Sequence, residues 1–179
     1  FNATYIIVVI LVLIVSLTIH EFMHAFVGHK LGDDTAHQEG RLTLNPLAHI
    51  DPVMTVLLPA ITLLLFQAPI LAAKPVPFNP ARVKYDEFGA AMIAAAGPLS
   101  NLALAFLAAL GSHLFAAGSL LSGVLEVAVL LNVGLFVFNS IPIPPLDGSR
   151  VLYAFAPEPV QRFMEQIEPM GLFIIFGLV

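Results

Sequence analysis

One short stretch of the sequence, His20-Glu21-Phe22-Met23-His24, has the residue types and spacing for metal-dependent hydrolysis. Residues four apart on a helix lie on one face about 6 Å apart along the axis, so two imidazoles can converge on one ion. Glu21 beside them could accept and return a proton. An HExxH pattern on a helix is typical of zinc hydrolases, and its alternative is a chance occurrence among surface residues.

The surroundings of this motif decide between the two interpretations. Apolar residues flank the motif on both sides, and Lys30 is the nearest polar boundary. At about 1.5 Å of rise per residue, His24 lies about 9 Å and His20 about 15 Å inside that boundary. Two imidazoles and a carboxylate at such a depth cost several kcal/mol unless they pair, bind a metal or face water. The motif is therefore predicted to be a functional metal site.

A catalytic zinc site takes three protein ligands and leaves one position for water, so the two histidines need a third partner. Asp147 is one candidate, because three prolines in the preceding residues 139–146 prevent a continuous helix and Gly148 permits unusual backbone angles. Non-helical backbone near membrane depth must be buried in protein or line a wet cavity. His49 and Asp51 are the alternatives, although a turn before the next segment explains them more simply.

The composition places the chain in a lipid bilayer. The sequence is 59% hydrophobic and 11% charged, against roughly 45–50% and about 25% in soluble domains. Four apolar segments approach the ~20 residues that a helix needs to cross ~30 Å of hydrocarbon. They are 3–28, 53–73, 88–112 and 120–141. We predict an all-α polytopic membrane protein, one membrane-embedded domain over 1–179, with an incomplete C-terminal helix over 170–179.

Charge and cysteine content exclude several classes of site and partner. The net charge of −5 gives no basic surface for nucleic acid, so no nucleic-acid partner is expected. The absence of cysteine excludes disulfides and thiolate metal sites. The lipid bilayer is the surrounding that the composition predicts, and the oligomeric state stays open.

Several smaller features lead to structural expectations. The alternation of polar and apolar residues over 41–44 predicts a small β element near 40–45, whose edge could bind an extended peptide. Gly97-Pro98 predicts close helix packing, and Asn101 and Asn132 predict hydrogen bonds between helices. Residues 158–168 have the apolar spacing of a helix on the membrane surface.

Three motifs occur in an order that resembles the site-2 proteases, a family of intramembrane zinc metalloproteases. HExxH matches 20–24, Gly-Pro-x-x-Asn matches 97–101, and Asn-x-x-Pro-x-Pro-x-x-Asp-Gly matches 139–148. Together they cover most of the chain, and the last motif is long and specific. The family's appended PDZ or CBS domains have no counterpart here, so the chain resembles a short, core-only member.

The resemblance implies roles for five residues. His20, His24 and Asp147 would bind one zinc ion, and Glu21 would be the catalytic base. Asn139 matches a position that contacts the substrate backbone, and the substrate would be a transmembrane protein or peptide.

Two other function classes stay open beside proteolysis. A metal-binding membrane transporter or a non-catalytic pseudo-protease could keep the same ligands, and a zinc hydrolase could act on lipid. Glu21 favours hydrolysis, because a carrier has no need of a non-ligating carboxylate beside the first histidine.

The proposed ligand set also predicts the membrane topology. If Asp147 shares an ion with His20 and His24, the first and fourth apolar segments end toward the same membrane face, which four full crossings would not allow. Segment 53–73, interrupted by two prolines, is therefore predicted to be re-entrant or interfacial. All 7 lysines and arginines then lie on one side. We predict a multi-pass protein of the cell membrane, and the positive-inside rule orients its site toward the cytoplasm.

Overall fold

Six α-helices lie in residues 3–50 and 76–171, which are the residues that the computed structural model describes. The helices are α1 Ala3–Lys30, α2 Thr35–Gln38, α3 Asp86–Ser112, α4 Leu120–Asn139, α5 Asp147–Phe155 and α6 Glu158–Ile167. Short 3₁₀ turns occupy Pro46–His49, Pro80–Arg82 and Glu168–Met170. These two ranges contain no β-strand, and the all-α class predicted from the sequence is confirmed.

Helices α1, α3 and α4 are long and apolar enough to cross a membrane. Their large apolar residues point outward; Leu11, Phe106 and Leu130 are each more than half exposed. Their polar residues point inward, as Asn101 and Asn132 do. Such an arrangement suits a hydrocarbon solvent, and it confirms the prediction of three core transmembrane helices. Segment 53–73 lies outside the described residues, as do Asp51 and residues 172–179.

The three spanning helices run up, down and up; α3 packs against both α1 and α4, which also contact each other. The Lys84 N–H donates to the Leu31 carbonyl at 2.9 Å, so the chain enters α3 beside the point where α1 ends. α4 returns along α3, and α5 then packs against α3. The C-terminal ends of α1 and α4 therefore lie on the same side, as the proposed ligand set requires.

Asp33 ties the segment before α3 to the end of α1. This buried carboxylate accepts hydrogen bonds from the Thr35 N–H at 3.1 Å, the Thr35 hydroxyl at 2.6 Å and the Asn79 N–H at 2.6 Å. Burial opposes ionisation, but the bonds from Thr35 and Asn79 outweigh it and lower the pKa of the Asp33 carboxyl. Asp33 is thus a charged anchor at the membrane boundary.

Residues 41–45, for which the sequence predicts a small β element, form a bend instead of a strand. The Arg41 guanidinium donates to the carbonyl of Ala48, seven residues later in the chain. His49 Nε2 donates to the Thr43 carbonyl at 2.9 Å. These two side chains close the segment on itself, and they use a backbone acceptor that a strand would offer to its neighbour. The physical reason for the difference is therefore local side-chain bonding, which alternation of polar and apolar residues cannot reveal.

Candidate metal centre

The two histidines of α1 point at each other and at the first residue of α5. His20 Nε2 lies 3.0 Å from His24 Nε2. Asp147 Oδ2 lies 3.2 Å from His20 Nε2 and 3.3 Å from His24 Nε2. Both imidazoles are buried, and Asp147 is mostly so. Three potential ligand atoms from two distant parts of the sequence thus form a nearly equilateral triangle.

The size of this triangle matches tetrahedral zinc. Bonds of about 2.0–2.1 Å in a tetrahedron put ligand atoms about 3.3–3.4 Å apart. The three observed separations are 3.0, 3.2 and 3.3 Å. The donor set of two imidazole nitrogens and one carboxylate oxygen is also one that catalytic zinc sites use.

In the neutral form of each ring, the hydrogen bond behind it leaves the facing nitrogen as a lone pair. His20 Nδ1 donates to Asn101 Oδ1 at 2.6 Å, and His24 Nδ1 donates to the Ile93 carbonyl at 2.7 Å. Because each acceptor is a carbonyl oxygen, each Nδ1 carries the proton and each Nε2 is free to bind a metal.

The third donor also lacks a proton partner. Within 3–50 and 76–171, the buried Asp147 Oδ2 accepts no hydrogen bond. Two lone pairs and a carboxylate oxygen at such separations repel each other unless a cation lies among them. The residues therefore fit a zinc ion.

Gly97 of α3 makes room for the two imidazoles. A Cβ atom at this position would lie 2.4 Å from His24 Nε2 and 2.6 Å from His20 Nε2. The close helix packing predicted for Gly97-Pro98 is confirmed, and the groups packed against Gly97 are the proposed ligands themselves. The Gly-Pro pair in an apolar helix indicates the small residue, but nothing in the sequence identifies the groups packed against it.

Gly148 has a similar role beside the third ligand. A Cβ at Gly148 would lie 2.3 Å from the Ser140 carbonyl oxygen and 2.7 Å from that of Ile141. The glycines with positive φ are Gly32, Gly40 and Gly118 in the described residues. The unusual backbone angle expected at Gly148 is therefore not what requires glycine; the close approach of α5 to the end of α4 requires it.

Glu21 and His49 lie beside the triangle without joining it. The buried Glu21 carboxylate is within electrostatic reach of His20, His24, Asp147 and His49. His49 is buried, and its Nε2 is bonded to Thr43. In the described part of the chain, the grouping of three potential ligands is His20, His24 and Asp147. The structure thus brings Asp147, and not His49, to the pair.

Asn139 is the last residue of α4 and is half-buried. Its side-chain amide donates to the Leu135 carbonyl of its own helix at 3.0 Å. The role in substrate contact that the family resemblance implies for Asn139 stays a prediction.

Comparisons with known proteins add relatives that share most of the chain. It is 40% identical over 176 residues to "Putative zinc metalloprotease YwhC" of Bacillus subtilis, covering 93% of this chain and 77% of that protein. It is 32% identical over 180 residues to "Putative zinc metalloprotease Rip2" of Mycolicibacterium smegmatis, covering 93% and 64%. It is 36% identical over 133 residues to "Putative zinc metalloprotease MJ0611" of Methanocaldococcus jannaschii, covering 74% and 62%.

The chain thus spans less than two thirds of the second and third of these relatives. No family model matches the chain, and no solved structure gives a significant match.

Proposed function

This chain belongs to the site-2 protease family of zinc metalloproteases, and we propose that it cleaves peptide bonds in or near transmembrane segments of other membrane proteins. The observation that carries the proposal is the position of the site. The donor triangle is built from residues of an apolar spanning helix and of the segment that follows another. A substrate must therefore reach it at membrane depth.

The residues of the site divide the work of hydrolysis among them. His20, His24 and Asp147 would hold zinc, which lowers the pKa of a water molecule and polarises the substrate carbonyl. Glu21 accepts the proton that the attacking water loses and delivers it to the leaving amine. The C–N bond breaks as the new C–O bond forms, so the products are a carboxylic acid and an amine. Glu21 is buried within electrostatic reach of His20 and His24, beside the atoms between which the proton moves.

The substrate must arrive with its backbone opened. A transmembrane helix hides each carbonyl in its own hydrogen bonds, so a helical segment offers no bond for attack. Unwinding near the site would expose an extended peptide, and the Asn139 amide at the end of α4 would bind such a backbone after it releases the Leu135 carbonyl.

Charge distribution supports an orientation with the site toward the cytoplasm. α1 ends, α3 begins and α5 follows α4 on one side, and the turn between α3 and α4 lies on the other. Residues 113–119 in that turn contain no lysine or arginine. The basic residues lie on the first side or in segment 51–75: Lys30, Arg41, Lys74, Arg82, Lys84, Arg150 and Arg162. Reporter fusions at residues 80 and 116 should report cytoplasm and exterior, and the reverse assignment would overturn the orientation.

The Glu21→Gln variant tests the chemistry. In lipid vesicles, wild type and variant should bind equal amounts of zinc, while cleavage of a membrane-anchored peptide falls by about 10²–10⁴-fold or more. Glu126→Gln, the same substitution in spanning helix α4, is the matched control and should keep activity. Equal cleavage by wild type and Glu21→Gln would end the protease mechanism. Zinc flux that survives in Glu21→Gln would indicate a transporter, and release of fatty acid from the vesicles would indicate a lipid hydrolase.

A further inference from the structure

A continuous line of hydrogen bonds starts at His20 and crosses all three spanning helices. His20 Nδ1 donates to Asn101 Oδ1 on α3 at 2.6 Å. Asn101 Nδ2 donates to Asn132 Oδ1 on α4 at 2.9 Å. Asn132 Nδ2 donates to Ser16 Oγ on α1 at 2.9 Å. The exposed fractions of Asn101, Asn132 and Ser16 are 0%, 2% and 2%, so water does not compete for these bonds. The hydrolytic mechanism uses only the first member of the line.

Each amide in this line has its direction fixed by a carbonyl oxygen that its NH₂ group faces. Asn132 Nδ2 donates both to Ser16 Oγ and to the Ala128 carbonyl of its own helix, at 2.9 Å each. Its oxygen therefore faces Asn101. That oxygen can only accept, so Asn101 must turn its NH₂ toward Asn132 and its carbonyl toward His20.

The direction of Asn101 matters because of the tautomer that His20 must adopt. A carbonyl facing Nδ1 requires the Nδ1–H form, which leaves Nε2 free to bind a metal. A flipped Asn101 would present its NH₂ to Nδ1 and would favour the Nε2–H form, which cannot bind through Nε2. His24 does not share this sensitivity, because its Nδ1 partner is the backbone carbonyl of Ile93, which cannot flip.

We propose that Asn132, held in place by the Ala128 carbonyl and Ser16, is a positioning residue that orients Asn101 and thereby selects the zinc-binding tautomer of His20. Neither Asn132 nor Ser16 is one of the proposed ligands. In hydrocarbon, a broken amide pair finds no water to replace its partner, which makes the orientation hard to lose and costly to disturb. Zinc affinity can be measured apart from peptide hydrolysis, so a failure of this proposal is distinguishable from a failure of the proposed protease function.

Zinc affinity of the detergent-solubilised protein, measured by competition with a chelator, tests the proposal. Losing a partner behind a metal-binding histidine costs about 10–100-fold in affinity, which is expected for Asn101→Leu. Asn132→Leu should lose about 10-fold. Ser16→Ala should lose less, because the Ala128 carbonyl still holds Asn132. Ser122→Ala removes an equally buried hydroxyl from α4, outside the line, and should bind zinc as wild type does.

A double-mutant cycle separates positioning from packing. In Asn101→Asp, both side-chain oxygens accept, so the group needs no orientation and His20 keeps its tautomer whichever way the carboxylate turns. Adding Asn132→Leu to Asn101→Asp should then cost no zinc affinity, because it removes an acceptor that faces the carboxylate, although it costs about 10-fold in the wild-type background. An equal loss in both backgrounds, or no loss in either, would overturn the proposal. If Asn132→Leu does not fold, Asn132→Ala replaces it in the same cycle with the same two outcomes.

Discussion

A single added methyl group at Gly97 should greatly weaken zinc binding. In Gly97→Ala the new Cβ would lie 2.4 Å from His24 Nε2, about 1 Å short of the 3.4 Å at which ordinary contacts begin. The imidazoles cannot swing away, because Asn101 and the Ile93 carbonyl hold their far nitrogens. Either α3 moves away from α1 or the two ligand atoms separate.

Both outcomes exceed what a zinc site tolerates. Ligand distances in metal sites hold to within about 0.2 Å, several times less than the displacement that the methyl group requires. Zinc affinity should therefore fall by about 100-fold or more, beyond the effect of most substitutions outside the ligands. Overpacking should also lower the free energy of unfolding of the metal-free protein, by about 1–3 kcal/mol.

The assay for Gly97→Ala is chelator competition for zinc, combined with thermal unfolding with and without the metal. Gly134→Ala is the matched control, since it makes the same change in spanning helix α4, where a Cβ would meet nothing within 4 Å. It should keep zinc and the thermal shift that zinc produces. Wild-type zinc affinity in Gly97→Ala would refute the close approach of α3 to the imidazoles, and with it the geometry of the centre.

Three further substitutions test other parts of the site and its frame. Gly148→Ala should weaken zinc binding without touching a ligand, because its Cβ would overlap the Ser140 carbonyl; unchanged affinity would contradict the close packing of α5. His49→Ala should keep full zinc content but lose cleavage activity, because the buried His49 imidazole lies within electrostatic reach of Glu21. Zinc loss would instead make His49 a ligand, and exposed His113→Ala is the control. Asp33→Asn should lower the free energy of unfolding by about 1–3 kcal/mol near neutral pH, unlike Asp34→Asn at its exposed neighbour. Because the folded pKa of Asp33 is lowered, its stabilisation is present above the unfolded pKa of about 4 and is lost as pH falls below it, so Asp33→Asn should reduce acid destabilisation in that range.

The line of buried amides contains contacts that the sequence cannot predict. Asn101 and Asn132 are predictable as hydrogen-bonding groups, because amides in apolar helices must find partners. The two amides bond to each other at 2.9 Å, and His20 donates to Asn101. Both bonds depend on how the three helices are rotated about their axes. No spacing along one helix encodes that rotation. Ser16 carries even less signal, since a serine in an apolar helix can bond to its own backbone.

The paired histidines and the spanning helices could be predicted from the sequence alone, because they follow from local spacing and from the lipid solvent. Four residues of separation put His20 and His24 on one helical face, and long apolar segments required a membrane for α1, α3 and α4. Three features depend on the tertiary structure. Asp147 is the carboxylate that lies beside the two histidines, residues 41–45 bend through the bonds of Arg41 and His49, and Gly97 packs against the proposed ligands. Those outcomes depend on how packed helices approach one another, and such packing is a property of several segments at once.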